Sequence, residues 1–525
     1  MNSNLGTEWP MDKSRTEHSA RNAMAAVIGK VLTILAGFCT RVVFTHTLSQ
    51  EYVGINALFF DILNVLALSE LGAGTAIAYA LYRPISEKDI EKQKSLMRMF
   101  RHFYWAVAGI VLAGGLLVVP FLGVLIKDSP DIKNLVPIYL LYLCNSVLSY
   151  TMVYKQTLVM AHQLSYISTL CQTFAALLQN LLQIVVLVVS RNFLLFVCMM
   201  ILCTLLNNIS ISVIADRLFP YLRDRDIQAL SPEERKAIFQ NIRAMLMHKI
   251  GLVMVKNTDS LLLSALVGII SSSLYSNYYL IIGSIRQVLQ QIFSGITASV
   301  GNLGVETDKA RIRRVFEASF FLGQWTYGLA AICLYEMLGP FVGHVFGEHY
   351  VFTKDVTLIL CVNFYLTGMR GAVHTFRDSL GVFWYDRYQS LLEAAVNLAA
   401  SILLGLRLGT VGVFLGTLVS TVSVPLWVEP MVLYRYSLGC SSKRFFIRYG
   451  MYASATFVLW FVTDLLCRRM SGGWWVLCCK RLVICAVLVN LAYFALYHRT
   501  KEFRLLVEKG YGILVRRRGP ANKKS

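Results

Sequence analysis

Long apolar runs separated by short polar gaps recur along the whole chain. Residues 31–44 (broken by Arg41), 103–126 (broken only by glycines and one proline) and 181–189 each read as part of a helix in hydrocarbon. A spanning helix needs about 20 mostly apolar residues, since each adds about 1.5 Å against a core about 30 Å thick. Backbone in hydrocarbon must satisfy its own hydrogen bonds, so runs of this length are helices. Barrel strands would alternate over short segments, and that pattern is absent. The chain therefore reads as an all-α polytopic membrane protein. About fourteen spans are predicted, near 22–45, 52–81, 103–126, 134–154, 164–189, 193–214, 248–270, 272–299, 320–346, 356–376, 384–405, 410–434, 445–466 and 475–497, with twelve as the alternative count.

Charge turns this segmentation into an orientation. Fifty Lys and Arg face 30 Asp and Glu, and the formal net charge is +20. Most of the cations fall in the N-terminal segment, the even-numbered gaps and the tail. Examples are Arg83–Arg101, Arg217–Lys249, Lys309–Arg314, Arg370–Arg387, Arg435–Arg448 and Arg499–Lys524. The odd-numbered gaps hold few, such as Lys127, Lys133, Arg191 and Lys354. By the positive-inside rule both termini are expected in the cytoplasm, in keeping with an even number of spans. Charges of this kind face anionic headgroups, so the basic balance does not argue for nucleic acid, and no nucleic-acid module is visible.

The expected organisation follows. Residues 1–21 form a polar cytoplasmic segment with no apolar stretch, so no cleaved leader is expected. Residues 22–214 hold six spans and 215–247 a cytoplasmic connector. In the connector, Ser231-Pro232-Glu233-Glu234 marks a helix start, with Ser as cap and Pro in the first turn. Six further spans fill 248–436, an additional pair fills 437–498, and 499–525 is a basic tail. Tyr52-Val53-Gly54-Ile55-Asn56 and Ser273-Leu274-Tyr275-Ser276-Asn277 open corresponding helices with the same sidedness, which suggests a parallel repeat.

Enzymatic motifs are missing: no HExxH, Walker loop, GxSxG or paired acidic loop motif occurs, so no catalytic residues, no metal site and no enzyme activity are expected. The twelve cysteines are scattered through apolar segments and read as small buried hydrophobes.

Charges at membrane depth carry the functional reading. Each costs on the order of 3 kcal/mol on insertion scales and needs a partner or a wet cavity. They are Lys30 and Arg41 in the first span, Asp61 and Glu70 in the second, Lys256 and Asp259 in the seventh, and Arg286 in the eighth; Glu336, Glu393, Glu429 and Asp464 follow. Lys30 and Arg41 lie within reach of a span end. Lys256 and Asp259 are three apart, so they share a face and can pair. Asp464 and Glu429 read as interfacial. Arg286 is near mid-span, far from either surface. If the two halves face each other, these cations line one cavity suited to an anion, and Arg in particular suits phosphate.

At this point the residues resemble a known family. Lys256-Asn257-Thr258-Asp259, Leu266-Val267-Gly268, Tyr275-Ser276-Asn277-Tyr278-Tyr279-Leu280 and Ser299-Val300-Gly301-Asn302-Leu303 are similar to bacterial polysaccharide flippases. These are the O-antigen and capsule exporters of the multidrug/oligosaccharidyl-lipid/polysaccharide superfamily. Tyr52-Val53-Gly54-Ile55 and Leu71-Gly72 add to the likeness. The resemblance implies two six-helix bundles around a central cavity plus a C-terminal helix pair. It implies alternating access, with cargo an undecaprenyl-diphosphate-linked oligosaccharide and cavity cations on the diphosphate. Carried onto this chain, those cations are Arg41, Lys256 and Arg286, with Lys30 secondary; Arg286 departs from the family pattern, which places apolar residues there.

The resulting expectation is a plasma-membrane flippase for lipid-linked glycan, exporting surface polysaccharide, with no covalent chemistry and no cofactor beyond a coupling Na+ or H+ gradient. Asp61, Glu70 and Asp259 are the candidate counter-charges or coupling residues. Expected partners are the lipid-linked glycan, membrane lipids, and a polysaccharide polymerase and glycosyltransferases. The alternatives are a cation-coupled multidrug exporter of the same superfamily, a membrane glycan polymerase or glycosyltransferase, and a nonenzymatic component of a glycan-assembly complex. Short outer gaps disfavour the polymerase, and basic central spans disfavour the exporter.

Overall fold

In the computed structural model the described residues are 15–66, 73–126, 134–162, 164–224, 230–236, 238–239, 258–303, 309–380, 382 and 385–507. They are helical with no strand among them. Every one of the fourteen expected segments contains helix, and among the described residues eleven helices are long and apolar enough to cross a membrane by length and composition. Exposed large apolar side chains such as Leu117, Val189 and Trp475 cover the outer faces. A water-soluble protein does not leave so much apolar surface bare, and a lipid-facing one does. This is a multi-pass membrane protein.

The contacts divide the chain into two compact units, residues 1–253 and 254–525. The first unit runs α1 (Arg15–Thr47), α2 (Gln50–Leu66), α3 (Ala73–Ser86), α4 (Ile90–Val118), α5 (Leu135–Tyr150), α6 (Val153–Ala161), α7 (Ser165–Ser190) and α8 (Phe193–Leu218). Polar residues set its joints. Asp89 caps α4 by accepting from the Lys92 amide at 2.9 Å, and Asn192 caps α8 by accepting from Leu194 and Leu195. The Ser231 hydroxyl accepts from the Glu234 amide at 3.3 Å and donates to its carboxylate at 3.1 Å, so Ser231 caps the helix start expected in the connector. Within the unit α1 packs on α7, α7 on α8, and α5 on α4 and α8. The core there is aromatic: Phe44, Phe193 and Phe196 interlock at 5.0–5.8 Å.

The second unit runs α9 (Thr258–Val267), α10 (Ile269–Leu303), α11 (Lys309–Phe346), α12 (Lys354–Ser379), α13 (Gln389–Leu408), α14 (Thr410–Ser423), α15 (Pro425–Val432), α16 (Lys443–Arg468) and α17 (Trp474–Tyr497), with a last helical stretch over 501–507. The tightest helix pair is α13 with α14. Gly409, at φ +60°, makes the reversal, and Ser401 and Gly405 then face Gly412 and Gly416. A Cβ at Gly416 would meet Ser401 backbone at 2.4 Å, and one at Gly412 the Leu404 carbonyl at 2.0 Å. Small residues four apart on both helices let the backbones touch, the usual basis of packing in a bilayer. Around α11, Phe316, Phe320, Phe445 and Tyr452 stack α16 onto the bundle, with Phe320 and Phe445 at 4.7 Å.

Two readings change here. Arg370 and Arg377, taken from the sequence as orienting charges in a polar gap, lie inside α12 and are nearly closed off from the surface. Glu429, read as interfacial, is 1% exposed. All three belong to one ion-pair network, because a carboxylate buried at that depth has to be neutralised by whichever cation the fold brings to it.

Candidate functional site

Arg41 occupies the inner side of α1 in the first unit. It lines a cavity of about 160 Å3 with Thr40, Asn56, Gln179, Asn180 and Gln183, closed by Phe44 and Phe60. The polar groups hold one another: Thr40 Oγ1 donates to Asn180 Oδ1 at 2.7 Å, Gln183 Nε2 to the Phe196 carbonyl at 3.3 Å, and the Tyr142 hydroxyl to Asn56 Oδ1. The guanidinium carbon lies 6.0 Å from the Phe44 ring centroid. Amide and hydroxyl groups around a single cation form a surface able to accept both an anion and the hydroxyls of a sugar.

Arg286 occupies α10 one turn beyond Ile282 and two beyond Tyr278, both buried, so helical spacing sets it on the inward stripe. Its Nε is buried and finds no hydrogen-bond partner among the described residues. Its guanidinium carbon stands 6.0 Å from the Phe364 ring, which packs on Tyr327 at 5.4 Å. An arginine with a buried, unsatisfied donor in the apolar layer is costly, and such positions persist where something else supplies the acceptor. Beside it on α10, Ile281, Ile285 and Leu289 line an apolar groove of about 450 Å3 against α11 and Leu482 of α17.

Asp259 on α9 is 7% exposed. Its Oδ1 accepts from Thr417 Oγ1 at 2.8 Å, and Asn397 Nδ2 donates to Thr417 Oγ1 at 3.0 Å and to Ser420 Oγ at 3.4 Å. The Gly412–Gly416 contact described above brings α14 close enough for this. One carboxylate among neutral oxygens suits a monovalent hard cation or a proton. No cluster of three or more His, Cys, Asp or Glu side chains placed to hold a metal ion occurs among the described residues.

The other expected residues divide cleanly. Lys30 is exposed on α1. Asp61 is half-buried on α2. Lys256 and Glu70 lie outside the described residues, so the expected Lys256–Asp259 pair does too.

The network around Arg370 escaped the sequence reading. Arg370 grips Glu393 on α13 at 2.9 and 3.2 Å and Glu429 on α15 at 2.7 and 3.3 Å. Arg377 pairs with Asp386 at 2.9 Å, and His374 approaches Glu429 at 3.5 Å. In the first unit Lys155 is likewise engaged, donating to Asp216 at 2.7 Å and to Ser212 at 2.7 Å. One signal was available: Glu393 and Glu429 sit in apolar runs and demand a cation at the same depth.

No protein-family model matches the chain, and no curated protein sequence does. Solved structures do. The lipid II flippase MurJ in an inward closed conformation aligns with a TM-score of 0.63 at 13% identity, covering 91% of this chain and 98% of that one. An inward-facing multidrug resistance MATE family transporter of the MOP superfamily aligns at 0.57 and 15% identity, covering 77% and 96%. The Vibrio cholerae MATE transporter VcmN in its bent form aligns at 0.51 and 15% identity, covering 81% and 98%. The chain shares the fold of these transporters over nearly their full lengths.

Proposed function

We propose that this protein is a flippase that moves an undecaprenyl-diphosphate-linked oligosaccharide across the plasma membrane by alternating access. The observation that carries the reading is Arg286, a guanidinium at membrane depth whose buried Nε has no acceptor among the described residues. A diphosphate supplies such an acceptor, and the planar fork of Arg fits it with two parallel hydrogen bonds. The apolar groove along Ile281, Ile285 and Leu289 offers a neighbouring surface for a polyprenyl chain. In the first unit, the amide-rich cavity at Arg41 has donors and acceptors of its own for an anion or sugar. The fold shared with a lipid II flippase adds to the case. Lys30 and Lys256 complete the proposed set of cations, and Asp61 and Glu70 serve as counter-charges when cargo is absent. Both termini are cytoplasmic, by the distribution of Lys and Arg.

A second reading, a cation-coupled multidrug exporter, draws on the buried Asp259 cluster and on the MATE-type fold. One experiment separates the two. The purified protein is reconstituted in vesicles with fluorescent polyprenyl-diphosphate glycan, and leaflet exchange is followed; parallel vesicles carry a fluorescent organic cation. The flippase reading expects exchange of the glycan lipid and no accumulation of the cation. Cation accumulation without glycan exchange would replace it with the exporter reading.

A further inference from the structure

A second charged cavity lies at the opposite extreme of polarity from the groove on α10. It measures about 530 Å3 and is enclosed by the starts of α11 and α16 and the helical stretch 501–507. Six cations, Lys309, Arg313, Arg314, Arg444, Arg448 and Lys501, face two acids, Glu317 and Glu502. The acids are spoken for. Glu317 accepts from Arg313 at 2.9 Å and from Arg448 at 3.1 Å, and Glu502 accepts from Arg448 at 2.9 Å. Lys309, Arg314, Arg444 and Lys501 make no ion pair among the described residues.

The arrangement runs against helix electrostatics. The first turn of a helix carries a partial positive charge and favours Asp, Glu or a bound anion. Among the described residues neither α11 nor α16 has an acid in its first turn, and both open on cations instead; Asp308, which precedes Lys309 in the sequence, lies outside the described residues. The start of α16 lies against the second and third turns of α11, where Phe445 meets Phe316 at 6.2 Å and Phe320 at 4.7 Å and Arg448 reaches Glu317 at 3.1 Å. Lys309 is confined further by the turn at Gly439, where a Cβ would stand 3.4 Å from its Nζ. Repulsion of this size in one cavity is relieved most directly by an anion of high charge density. The location adds the source. These helix starts mark the end of the apolar spans, where lipid headgroups stand.

We propose that this cavity binds a phosphate-bearing anion, as the headgroup of an anionic phospholipid or as a free polyphosphate. The site is independent of the cargo reading and stands on different residues.

The test uses the full-length protein in detergent, with phosphatidylglycerol, phosphatidylcholine or sodium diphosphate added. Lipid retention is read by native mass spectrometry and stability by the thermal midpoint. Wild type is expected to retain phosphatidylglycerol over phosphatidylcholine. The triple variant Lys309→Gln/Arg314→Gln/Arg444→Gln should lose on the order of a hundredfold in affinity for it. A control triple, Arg83→Gln/Lys88→Gln/Arg217→Gln, removes exposed cations that share no cavity and should lose less than about threefold. Without any anion the first triple should melt no lower than wild type, because it removes repulsion. Stabilisation of wild type by diphosphate but not by phosphatidylglycerol assigns the site to a soluble anion, and the reverse assigns it to lipid. Equal loss in both triples, undiminished retention in the first, or a lower midpoint for it without anion would overturn the proposal.

Discussion

The guanidinium of Arg370 reaches Glu429 through Nη2 at 2.7 Å and Nε at 3.3 Å, joining residues 59 apart in the chain. The same group holds both oxygens of Glu393, so α12, α13 and α15 meet at one side chain. Gln389 steadies Glu393 at 3.1 Å, and Arg377 stands 3.9 Å from Glu429. Desolvating this many charges is expensive, and the mutual attraction only repays it with full pairing.

Removing the cation should therefore cost more than removing either anion. Arg370→Met leaves the Glu393 and Glu429 carboxylates buried without the cation they share, with a loss of about 3–5 kcal/mol. Glu393→Gln keeps an acceptor and removes one charge, so its loss should be smaller. Thermal midpoints of the detergent-purified variants check the order. If Arg370→Met melts with wild type, the network is not holding the three helices.

For Arg286 the expectation is opposite in kind. If its unsatisfied donor awaits cargo, Arg286→Ala should leave membrane abundance and thermal stability at or above wild type while transport falls at least tenfold. Arg286→Lys keeps the charge and loses the fork, and should recover part of the rate at raised substrate concentration. Leaflet exchange in vesicles reads both. Exchange at the wild-type rate in Arg286→Ala would remove this residue from the cargo path.

Legibility from sequence followed the strength of the physical constraint. Hydrocarbon forces helix and length, so the runs around 165–190 and 443–468 could be placed to within a few residues. The N-cap at Ser231 is local chemistry over four residues and is equally readable. Pairing across helices was not. Nothing in the neighbourhood of Arg370 distinguishes it from an orienting cation; its partners come 23 and 59 residues later. Lys155 and Asp216 present the same difficulty at 61 residues. Arg286 stands out in the sequence for the converse reason: a lone cation in an apolar run needs no partner to be noticed.

Packing of α13 on α14 makes a sharper structural prediction. A leucine at Gly416 would drive its Cβ into Ser401 backbone, which cannot rotate away. Gly416→Leu should cost about 3 kcal/mol or more, since overpacking here has to shift a helix. Gly371→Ala, whose Cβ meets nothing within 4 Å, serves as the tolerated control. A difference in expression and thermal midpoint between the two is the expected result, and equal stability would refute the contact.

The same helix contact bears on coupling, because Thr417 follows Gly416 and supplies the hydroxyl that Asp259 accepts at 2.8 Å. Asp259 is buried, and Thr417, Asn397 and Ser420 form a hydrogen-bonded polar cluster beside it. Loading a monovalent cation or a proton there would neutralise a buried charge and draw α9, α13 and α14 together. Asp259→Asn keeps the shape and the hydrogen bond from Thr417 while removing the charge. In vesicles it should therefore fold normally and exchange cargo at a basal rate. An imposed Na+ or H+ gradient should accelerate wild type several-fold and leave Asp259→Asn unchanged. Gradient acceleration that survives in Asp259→Asn would move coupling to another residue, with Asp61 the next to test.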